Sequence, residues 1–294
     1  MLTGLAWIAS GACWAAVRDG APQRGIFQTS SGRGSLGGQR GYEGERTGRS
    51  HRVPEDRAST TGDCSDKIGS YSRLQRSYPQ REEPMATTIE FPQRVALVTG
   101  GSRGIGRACC LKLAEAGARV AVNYRSNQPA AEATVEAIRA QGGEALAIQA
   151  DVAVADDVTR MVDQVEGQLG PVDLLVNNAG IFEVGQHTEE TLEIWQRTLD
   201  CNLTGTFHVT WAVKDGMIER GYGRIVNIAS VAALAARPQC IAYSVSKAGV
   251  VALTRSLASA VAEHDVRINA VAPGLIDTEI LDAAEALLRQ SRSS

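Results

Sequence analysis

The sequence predicts an α/β domain built on a doubly wound parallel β-sheet with helices on both faces. From residue 93 onward, short β-branched apolar runs alternate with longer stretches of helical period. Most of these runs are apolar throughout, which is typical of parallel strands covered on both faces. Strands that alternate with helices form βαβ units, and such units build a doubly wound sheet. Six strands are predicted, at 94–100, 119–124, 144–151, 173–180, 223–230 and 267–274.

Five crossover helices are predicted between these strands. Gly117 and Gly142 stand where helix C-caps favour glycine. A sheet of this kind binds ligands beyond the carboxyl ends of its strands, where the strand order reverses. We therefore expect functional residues directly after the strands. The predicted helices cover 104–116, 129–141, 155–169, 192–220 and 242–263.

The first strand leads into a glycine-rich loop, "TGGSRGIG" at 99–106, which opens a helix. Gly100, Gly104 and Gly106 permit a tight turn, and the first-turn N–H groups and the helix dipole form an anion site suited to a pyrophosphate. The usual G-x-G-x-x-G pattern is not met, because Cys109 occupies its third position. Alone, the loop is also compatible with a turn that binds nothing. The strand before it and the helix after it favour a Rossmann-like dinucleotide site.

The end of the second strand bears on the choice between NAD and NADP. NAD-binding domains place an acidic residue there for the ribose 2′-hydroxyl, whereas this chain has Asn123, Tyr124 and Arg125. Arg125 and Arg103 of the glycine loop could form a guanidinium pair for a 2′-phosphate, which favours NADP. The alternative is that Arg125 is a solvated loop residue.

The fifth helix carries "AYSVSKAG" at 242–249, with a tyrosine and a lysine one turn apart. Tyr243 and Lys247 stand at i and i+4, so their side chains share one helix face. Taken alone, this pair is more often a half-buried tyrosine beside a solvated lysine. Its meaning depends on the rest of the chain.

Together these segments resemble the short-chain dehydrogenase/reductase family. "TGGSRGIG", "NNAG" at 177–180, Ser230, "YSVSK" and "APG" at 272–274 occur in the order and spacing of that family. The resemblance covers about residues 93–278 and is strongest to the 3-oxoacyl-[acyl-carrier-protein] reductases. The motifs are specific for the family and less so for the substrate.

The resemblance implies a catalytic set of Asn202, Ser230, Tyr243 and Lys247. Tyr243 would protonate the carbonyl oxygen as hydride arrives, and Ser230 would donate a hydrogen bond to that oxygen. Lys247 would hold the nicotinamide ribose, and Asn202 would keep a water in the proton relay. Without the resemblance, Asn202 is equally a helix-packing residue and Ser230 a strand-end cap.

The resemblance also implies the residues that contact NADP(H), and the mechanism requires no metal. Asp151 and Val152 match the adenine contacts, and Asn178 to Gly180 the ribose side. The segment with Ile276 and Thr278 would fold over the nicotinamide carboxamide. The full implied set is Gly100, Ser102, Arg103, Gly104, Ile105, Gly106, Arg125, Asp151, Val152, Asn178, Ala179, Gly180, Tyr243, Lys247, Ile276 and Thr278.

A proton-transferring tyrosine needs a lowered pKa near neutral pH. Moving a phenol pKa from about 10 to about 7 requires about 4 kcal/mol. An ammonium about 4 Å away supplies about that much at an effective dielectric of about 20. The sequence therefore predicts that Lys247 lowers the pKa of Tyr243.

Composition divides the chain into two regions. Residues 1–84, with 12 Lys/Arg and 9 Asp/Glu, are rich in Gly, Ser and Arg and show no helical or strand period, so we predict a disordered low-complexity extension. Residues 85–294 are predicted to be the NADP-binding domain. A start of translation at Met85 is the favoured alternative for the extension; its Arg and Ser content also resembles an organelle transit peptide, against which its acidic residues argue.

The remaining composition narrows the partners and the compartment. A net charge of −3 argues against nucleic acid or an anionic membrane as the main partner. The 6 cysteines show no spacing typical of a zinc site or a disulfide framework, which suits free thiols in a reducing compartment. The expected location is the cytoplasm, with an organelle as the alternative if the extension is a transit peptide.

The C-terminal segment departs from the family pattern. Family members continue after the "PG" turn through a seventh strand and a closing helix, whereas only "LIDTEILDAAEALLRQSRSS" follows here. We expect the seventh strand to be missing, which leaves 267–274 as an edge strand. Residues 278–290 have the spacing of an amphipathic helix. The homo-oligomer typical of the family is expected to be weakened or altered.

Three functions are consistent with the sequence. The favoured one is NADPH-dependent reduction of a 3-oxoacyl thioester, free or carried on an acyl carrier. The second is oxidation or reduction of another alcohol or ketone by the same residues. The third is a truncated, catalytically silent nucleotide-binding protein, for which the short C-terminus argues and the intact catalytic set argues against.

Overall fold

The computed structural model describes residues 15–17, 89–235 and 237–278, all within one compact unit of the chain. This part contains seven strands and six α-helices. The strands are β1 (Ala15–Val17), β2 (Val95–Val98), β3 (Arg119–Tyr124), β4 (Ala145–Gln149), β5 (Val172–Asn177), β6 (Gly223–Ile228) and β7 (Val266–Ala272). The helices are α1 (Gly104–Glu115), α2 (Gln128–Arg139), α3 (Ala155–Leu169), α4 (Leu192–Leu199), α5 (Gly205–Glu219) and α6 (Ile241–Ala260).

The six predicted parallel strands are confirmed, and they form one sheet in the order β7-β6-β5-β2-β3-β4. The central strand β2 is buried along its whole length, as its apolar sequence predicts. The chain leaves β2 toward β3 on one side and later returns to β5 on the other. The order therefore reverses between β2 and β5, which places the ligand crevice at their carboxyl ends.

Helices cover both faces of the sheet, so the core has two layers. Leu97 packs with Met161 of α3 and Met217 of α5 on one face. Its neighbour Val98 packs with Leu113 of α1 on the other face. Adjacent residues of β2 thus point into different layers, because side chains alternate across a strand.

The predicted helices are confirmed with one interruption. The stretch predicted as one helix over 192–220 consists of α4, a π-helical turn at Asp200–Thr204, and α5. A π-turn inserts an extra residue into the helix and is frequent at functional sites. Gly117 and Gly142, predicted to follow helix ends, have φ angles of 87° and 82° after α1 and α2.

The outer edge of β7 differs from the sequence-based expectation. Strand β1 pairs with it antiparallel, with Ala15 opposite Ala272 and Val17 opposite Ala270. The predicted disorder of residues 1–84 therefore does not hold for Ala15–Val17, and β7 is not the edge strand along these three positions. No pattern in residues 15–17 predicts this strand, because its pairing partner lies more than 250 residues away in the chain. The rest of the extension and the predicted helix beyond residue 278 lie outside the described residues.

None of the helices within the described ranges is long and apolar enough to cross a membrane. In the same ranges, no three His, Cys, Asp or Glu side chains gather into a group that could hold a metal ion.

Candidate active site

The glycine-rich loop after β2 is fixed by side chains from the neighbouring strands. The Thr99 hydroxyl accepts hydrogen bonds from the backbone N–H groups of Asn178 and Ala179, at 2.9 and 3.0 Å. The Asn178 side-chain amide donates back to the carbonyl oxygens of Thr99 and Gly100, both at 3.0 Å. The loop and the "NNAG" segment thus form one hydrogen-bonded unit at the strand-order reversal.

Gly106 allows α1 to begin close to this loop. A Cβ at this position would lie 2.2 Å from the Gly100 carbonyl oxygen and 2.5 Å from Nδ2 of Asn178, so only glycine fits. The N-cap residue Arg103 makes no side-chain capping bond, and the first turn of α1 carries no acidic residue. The first-turn N–H groups are therefore available to an anion, and the tightly packed loop fits a dinucleotide pyrophosphate.

Asn123, at the end of β3, binds the same loop from the other side. Its Oδ1 accepts from the Gly100 N–H at 3.2 Å, and its Nδ2 donates to the Ala150 carbonyl at 3.1 Å. Asn123 is 2 % exposed, so it is a structural residue between the loop and β4. No carboxylate stands at this position, as the sequence predicted.

The two arginines predicted to bind a 2′-phosphate, Arg103 and Arg125, are both exposed. The Gln149 side-chain amide donates to the Arg125 carbonyl oxygen at 2.9 Å, which holds the backbone beside β3. Ser102 is buried, and its carbonyl oxygen accepts from the Thr134 hydroxyl; Ile105 is half-buried in α1. Arg125 lines the cavity described next, and Arg103 does not.

An open cavity of about 620 Å³ adjoins the predicted adenine side of the site. Asp151 lines it, with Oδ1 accepting from the Ala153 N–H at 3.0 Å. Val152 is buried beside it, and the Val152 carbonyl is 3.1 Å from Nδ1 of His208. The cavity walls are Arg125, Asp151, Ala153, Leu192, Glu193, Gln196, Arg197, Asp200 and Cys201.

Tyr243 and Lys247 lie on α6 near the carboxyl end of β6. The Tyr243 ring contacts Phe182 edge-on, with 4.6 Å between the ring centroids. Burial raises the pKa of Tyr243 above its usual value, and the nearby hydroxyl of Ser230 opposes that effect. Ser230 follows β6, where its Oγ also accepts from the Ala232 N–H at 3.1 Å. Ser230 therefore lies close enough to Tyr243 to influence its pKa.

Lys247 is only 5 % exposed, and its Nζ donates to the Ile228 carbonyl oxygen at 2.7 Å. Burial lowers the pKa of Lys247 from 10.5 to about 8. Its Nζ is 5.8 Å from the centroid of the Tyr243 ring.

The predicted lowering of the Tyr243 pKa by Lys247 is wrong for the structure described. The ammonium is directed at a backbone carbonyl, and burial disfavours the charged forms of both side chains. Helical spacing correctly placed the two residues on one face but could not show where the lysine tip points.

Asn202 lies in the π-helical turn and is 0 % exposed. Its Oδ1 accepts from the Ile181 N–H at 2.8 Å, and its Nδ2 donates to the Ile181 carbonyl and to Oγ of Ser246, both at 3.0 Å. A Cβ at Gly180 would be 3.2 Å from Oδ1 of Asn202 and 3.5 Å from Nζ of Lys247. Gly180 therefore lies directly beside two members of the predicted catalytic set.

The segment after β7 is anchored near Ser230, because the Val231 N–H donates to the Pro273 carbonyl at 3.0 Å. Farther along, Ile276 and Thr278 are half-buried, and the Thr278 hydroxyl donates to the Ile276 carbonyl at 3.3 Å. Within the described residues, this bond joins the two to each other and not to the predicted catalytic set.

Comparison with known proteins identifies the family. The model of the short chain dehydrogenase family matches residues 94–287. The chain belongs to the short-chain dehydrogenase family. It is therefore an oxidoreductase that uses a nicotinamide cofactor, and the resemblance stated from the motifs is confirmed.

Several curated members of this family are similar to the chain. A 3-oxoacyl-[acyl-carrier-protein] reductase from Synechocystis sp. is 46 % identical over 193 residues, which cover 66 % of this chain and 78 % of the relative. An acetoacetyl-CoA reductase from Rhizobium meliloti is 43 % identical over 192 residues, covering 65 % and 77 % of the two chains. Both relatives are named as reductases of ketone-bearing thioesters.

Solved structures of short-chain dehydrogenases share the fold. A short-chain type dehydrogenase/reductase from Mycobacterium marinum matches with a TM-score of 0.65 and 39 % identity, covering 68 % of this chain and 79 % of that chain. A dehydrogenase/reductase from Sinorhizobium meliloti 1021 matches with a TM-score of 0.63 and 34 % identity, covering 68 % and 81 %.

Sequence reasoning on this short-chain dehydrogenase missed the residues that support the site. Thr99 and Asn123 connect the glycine loop to the adjoining strands, and Ser246 connects Asn202 to α6. Thr99 and Ser246 lie inside the quoted motifs, so their positions were visible. Their partners were not, because each hydrogen bond joins segments distant in sequence.

Proposed function

We propose that the protein reduces the ketone of a 3-oxoacyl thioester to a secondary alcohol with NADPH. The observation that carries this proposal is the placement of Tyr243 within reach of Ser230, with Nζ of Lys247 5.8 Å from the centroid of the tyrosine ring, at the carboxyl edge of the sheet next to the glycine loop. The names of the relatives from Synechocystis sp. and Rhizobium meliloti support a thioester substrate.

The proposed reaction needs one hydride and one proton. The reduced nicotinamide supplies the hydride to the carbonyl carbon when it is bound. Tyr243 donates its phenolic proton to the carbonyl oxygen, so the ketone becomes a secondary alcohol and a phenolate remains for reprotonation. Because burial raises the pKa of Tyr243, the phenol keeps its proton at neutral pH and is ready to act as an acid.

Ser230 and Lys247 assist this proton transfer in the proposal. The Ser230 hydroxyl donates a hydrogen bond where negative charge develops on the substrate oxygen. Lys247 turns its Nζ from the Ile228 carbonyl toward the cofactor ribose and stabilises the phenolate. Asn202 holds the Ile181 backbone through both of its amide atoms, which fixes the wall beside Lys247.

NADPH is preferred in this proposal because Arg103 and Arg125 offer cations and the end of β3 carries Asn123 and Tyr124 in place of a carboxylate. Arg103 and Arg125 are exposed and free to turn toward a 2′-phosphate. The carboxylate of Asp151 is already engaged by the Ala153 N–H, so it stabilises its own turn. The glycine loop, Ser102 to Gly106, Val152 and Asn178 to Gly180 complete the proposed cofactor surface, with Ile276 and Thr278 at the nicotinamide end.

Activity and binding measured together test the proposal. We expect the purified full chain to consume NADPH with an acetoacetyl thioester and to bind NADPH in a fluorescence titration. Turnover of other ketones without turnover of the thioester would favour the broader dehydrogenase function. Binding without any turnover would favour a silent nucleotide-binding protein.

The cofactor preference has its own test in Arg125→Asp. If the preference for NADPH is electrostatic, this variant should reverse it, because a carboxylate repels the 2′-phosphate and accepts from a 2′-hydroxyl. Arg255→Asp introduces the same charge change on an exposed position of α6 and should leave the preference unchanged. A wild type that uses NADPH and NADH equally well would contradict the assignment of both arginines.

Location and assembly complete the proposal. The four described cysteines that are free, Cys109, Cys110, Cys201 and Cys240, are buried thiols, which is typical of a reducing compartment such as the cytoplasm. The oligomeric state stays a prediction, which light scattering coupled to size-exclusion chromatography tests.

A further inference from the structure

Ser246 lies where the π-helical turn contacts α6. It stands on α6 between Tyr243 and Lys247 and is 0 % exposed. Its Oγ donates to the Tyr243 carbonyl oxygen at 2.7 Å and accepts from Nδ2 of Asn202 at 3.0 Å. The hydroxyl group of Ser246 therefore bonds to two of the four members of the predicted catalytic set, and Ser246 directly precedes a further member, Lys247.

The proton count fixes the direction of every bond in this cluster. A serine hydroxyl has one proton, and here it goes to the Tyr243 carbonyl, so Oγ must accept from Asn202. The Ile181 N–H requires an acceptor, which is Oδ1 of Asn202. The two amide protons of Asn202 go to the Ile181 carbonyl oxygen and to Oγ of Ser246. The two bonds to Ile181 fix the orientation of the amide, and Ser246 supplies the acceptor for the amide proton that they leave.

We propose that Ser246 is a positioning residue that sets the spacing between Asn202 and the Tyr243–Lys247 pair. This inference rests on the proposed reductase function, since it assigns Ser246 a role in that reaction. Ser246 touches neither substrate nor cofactor in this role. It acts by holding the π-helical turn against α6. This contact keeps Tyr243, Lys247 and the adjoining Gly180 in one fixed arrangement.

Loss of the hydroxyl has a definite structural consequence. In Ser246→Ala, one amide proton of Asn202 remains buried without an acceptor, which is unfavourable. Any shift of Asn202 that gives this proton a new acceptor also moves the Ile181 backbone that Asn202 holds. The rate of the chemical step depends on how precisely the catalytic side chains are positioned, so kcat should fall. Cofactor binding should change little.

The same helix provides a matched control. Thr254 is 1 % exposed, its Oγ1 donates to the Val250 carbonyl at 2.7 Å, and it accepts from Nδ2 of Asn227 at 2.9 Å. This repeats the bonding of Ser246 two turns farther along α6, but its partner Asn227 belongs to β6 and not to the predicted catalytic set. Thr254→Ala therefore removes an equivalent buried hydroxyl without touching Asn202.

The experiment compares Ser246→Ala, Thr254→Ala and wild type in the full chain, with NADPH and an acetoacetyl thioester. We expect Ser246→Ala to lower kcat about tenfold, with the Kd for NADPH within about twofold of wild type. Thr254→Ala should lower the urea midpoint by about as much as Ser246→Ala does, and it should keep kcat within about twofold of wild type. In the ligand-free protein, Ser246→Ala and Asn202→Ala should each lower the urea midpoint. Their two effects should not add up in the double variant.

The outcomes separate this inference from the proposed function. A wild type without turnover contradicts the reductase proposal. An active wild type with an unchanged kcat in Ser246→Ala, or an equal loss of kcat in both alanine variants, overturns the role of Ser246 alone. If Ser246→Ala does not fold, Ser246→Cys keeps the side-chain volume with a weak S–H group and serves in the same comparison.

Discussion

Replacing Lys247 by methionine should make the ligand-free protein more stable at neutral pH. Methionine keeps an unbranched side chain of similar length but carries no charge. A pKa lowered from 10.5 to about 8 corresponds to about 3 kcal/mol of unfavourable free energy for the buried ammonium. Losing the hydrogen bond to the Ile228 carbonyl offsets about 1 kcal/mol of that gain. The net gain is about 2 kcal/mol, or a rise in Tm of about 4–8 °C for a domain of this size.

The gain must depend on pH in a defined direction. The folded-state pKa of Lys247 is below its unfolded value, so the unfolded chain binds more protons between pH 8 and 10.5. The penalty is complete below about pH 8, declines as the pH rises, and is absent above about pH 10.5. The stability of wild type should therefore approach that of Lys247→Met across this window.

Urea unfolding of both proteins at pH 7 and at pH 10 measures the effect. Lys112→Met is the control, because Lys112 is an exposed helical lysine that pairs with Glu115 on the same helix. We expect the control to change the unfolding free energy by less than about 0.5 kcal/mol at either pH. A Lys247→Met protein that is less stable than wild type at pH 7, or equally more stable at both pH values, would refute the reasoning.

Two further predictions concern the catalytic set and the glycine loop. Tyr243→Phe keeps the ring beside Phe182 and should retain NADPH affinity while losing turnover at least about a hundredfold, whereas Lys247→Ala should lose both; similar loss of affinity in the two variants would argue against separate roles. Gly106→Ala should weaken NADPH binding at least about tenfold in a fluorescence titration, since its Cβ would meet the Gly100 carbonyl at 2.2 Å and displace the anion site. Gly167→Ala, in the interior of α3 with open space around it, is the matched control, and unchanged affinity in both variants would show that the loop is not the phosphate site.

Much of the fold could be predicted because burial leaves a direct mark on the sequence. Strand β2 is a run of four buried apolar residues, and the sheet interior requires such runs. The same apolar run shows where β2 ends, and it therefore locates the glycine loop that follows β2 at the strand-order reversal. By contrast, no pattern in residues 192–220 predicts the π-helical turn. The Asn202 side chain in that turn forms its hydrogen bonds with the backbone of Ile181, and the sequence of 192–220 does not contain this partner.

Residue types and spacing also predicted which side chains would meet, but not their electrostatics. The i and i+4 spacing placed Tyr243 and Lys247 on one face of α6. Their pKa values depend on burial by the surrounding segments and on the Ile228 carbonyl, which are properties of the folded molecule. The sequence therefore predicted which side chains share one face, while giving the wrong direction for the pKa shift of Tyr243.

The pairing of β1 with β7 has a consequence for the order of folding. Ala15 lies opposite Ala272, so residues near the beginning of the chain are joined to the last strand of the parallel sheet. Contacts between positions so distant in sequence form late, because β7 must already be in place to receive them. A strand of three residues adds few hydrogen bonds, and short edge segments open with the lowest free energy in a native protein. The amide protons of this ladder are therefore the ones in the sheet that should exchange with solvent first, well before those of β2 at its centre.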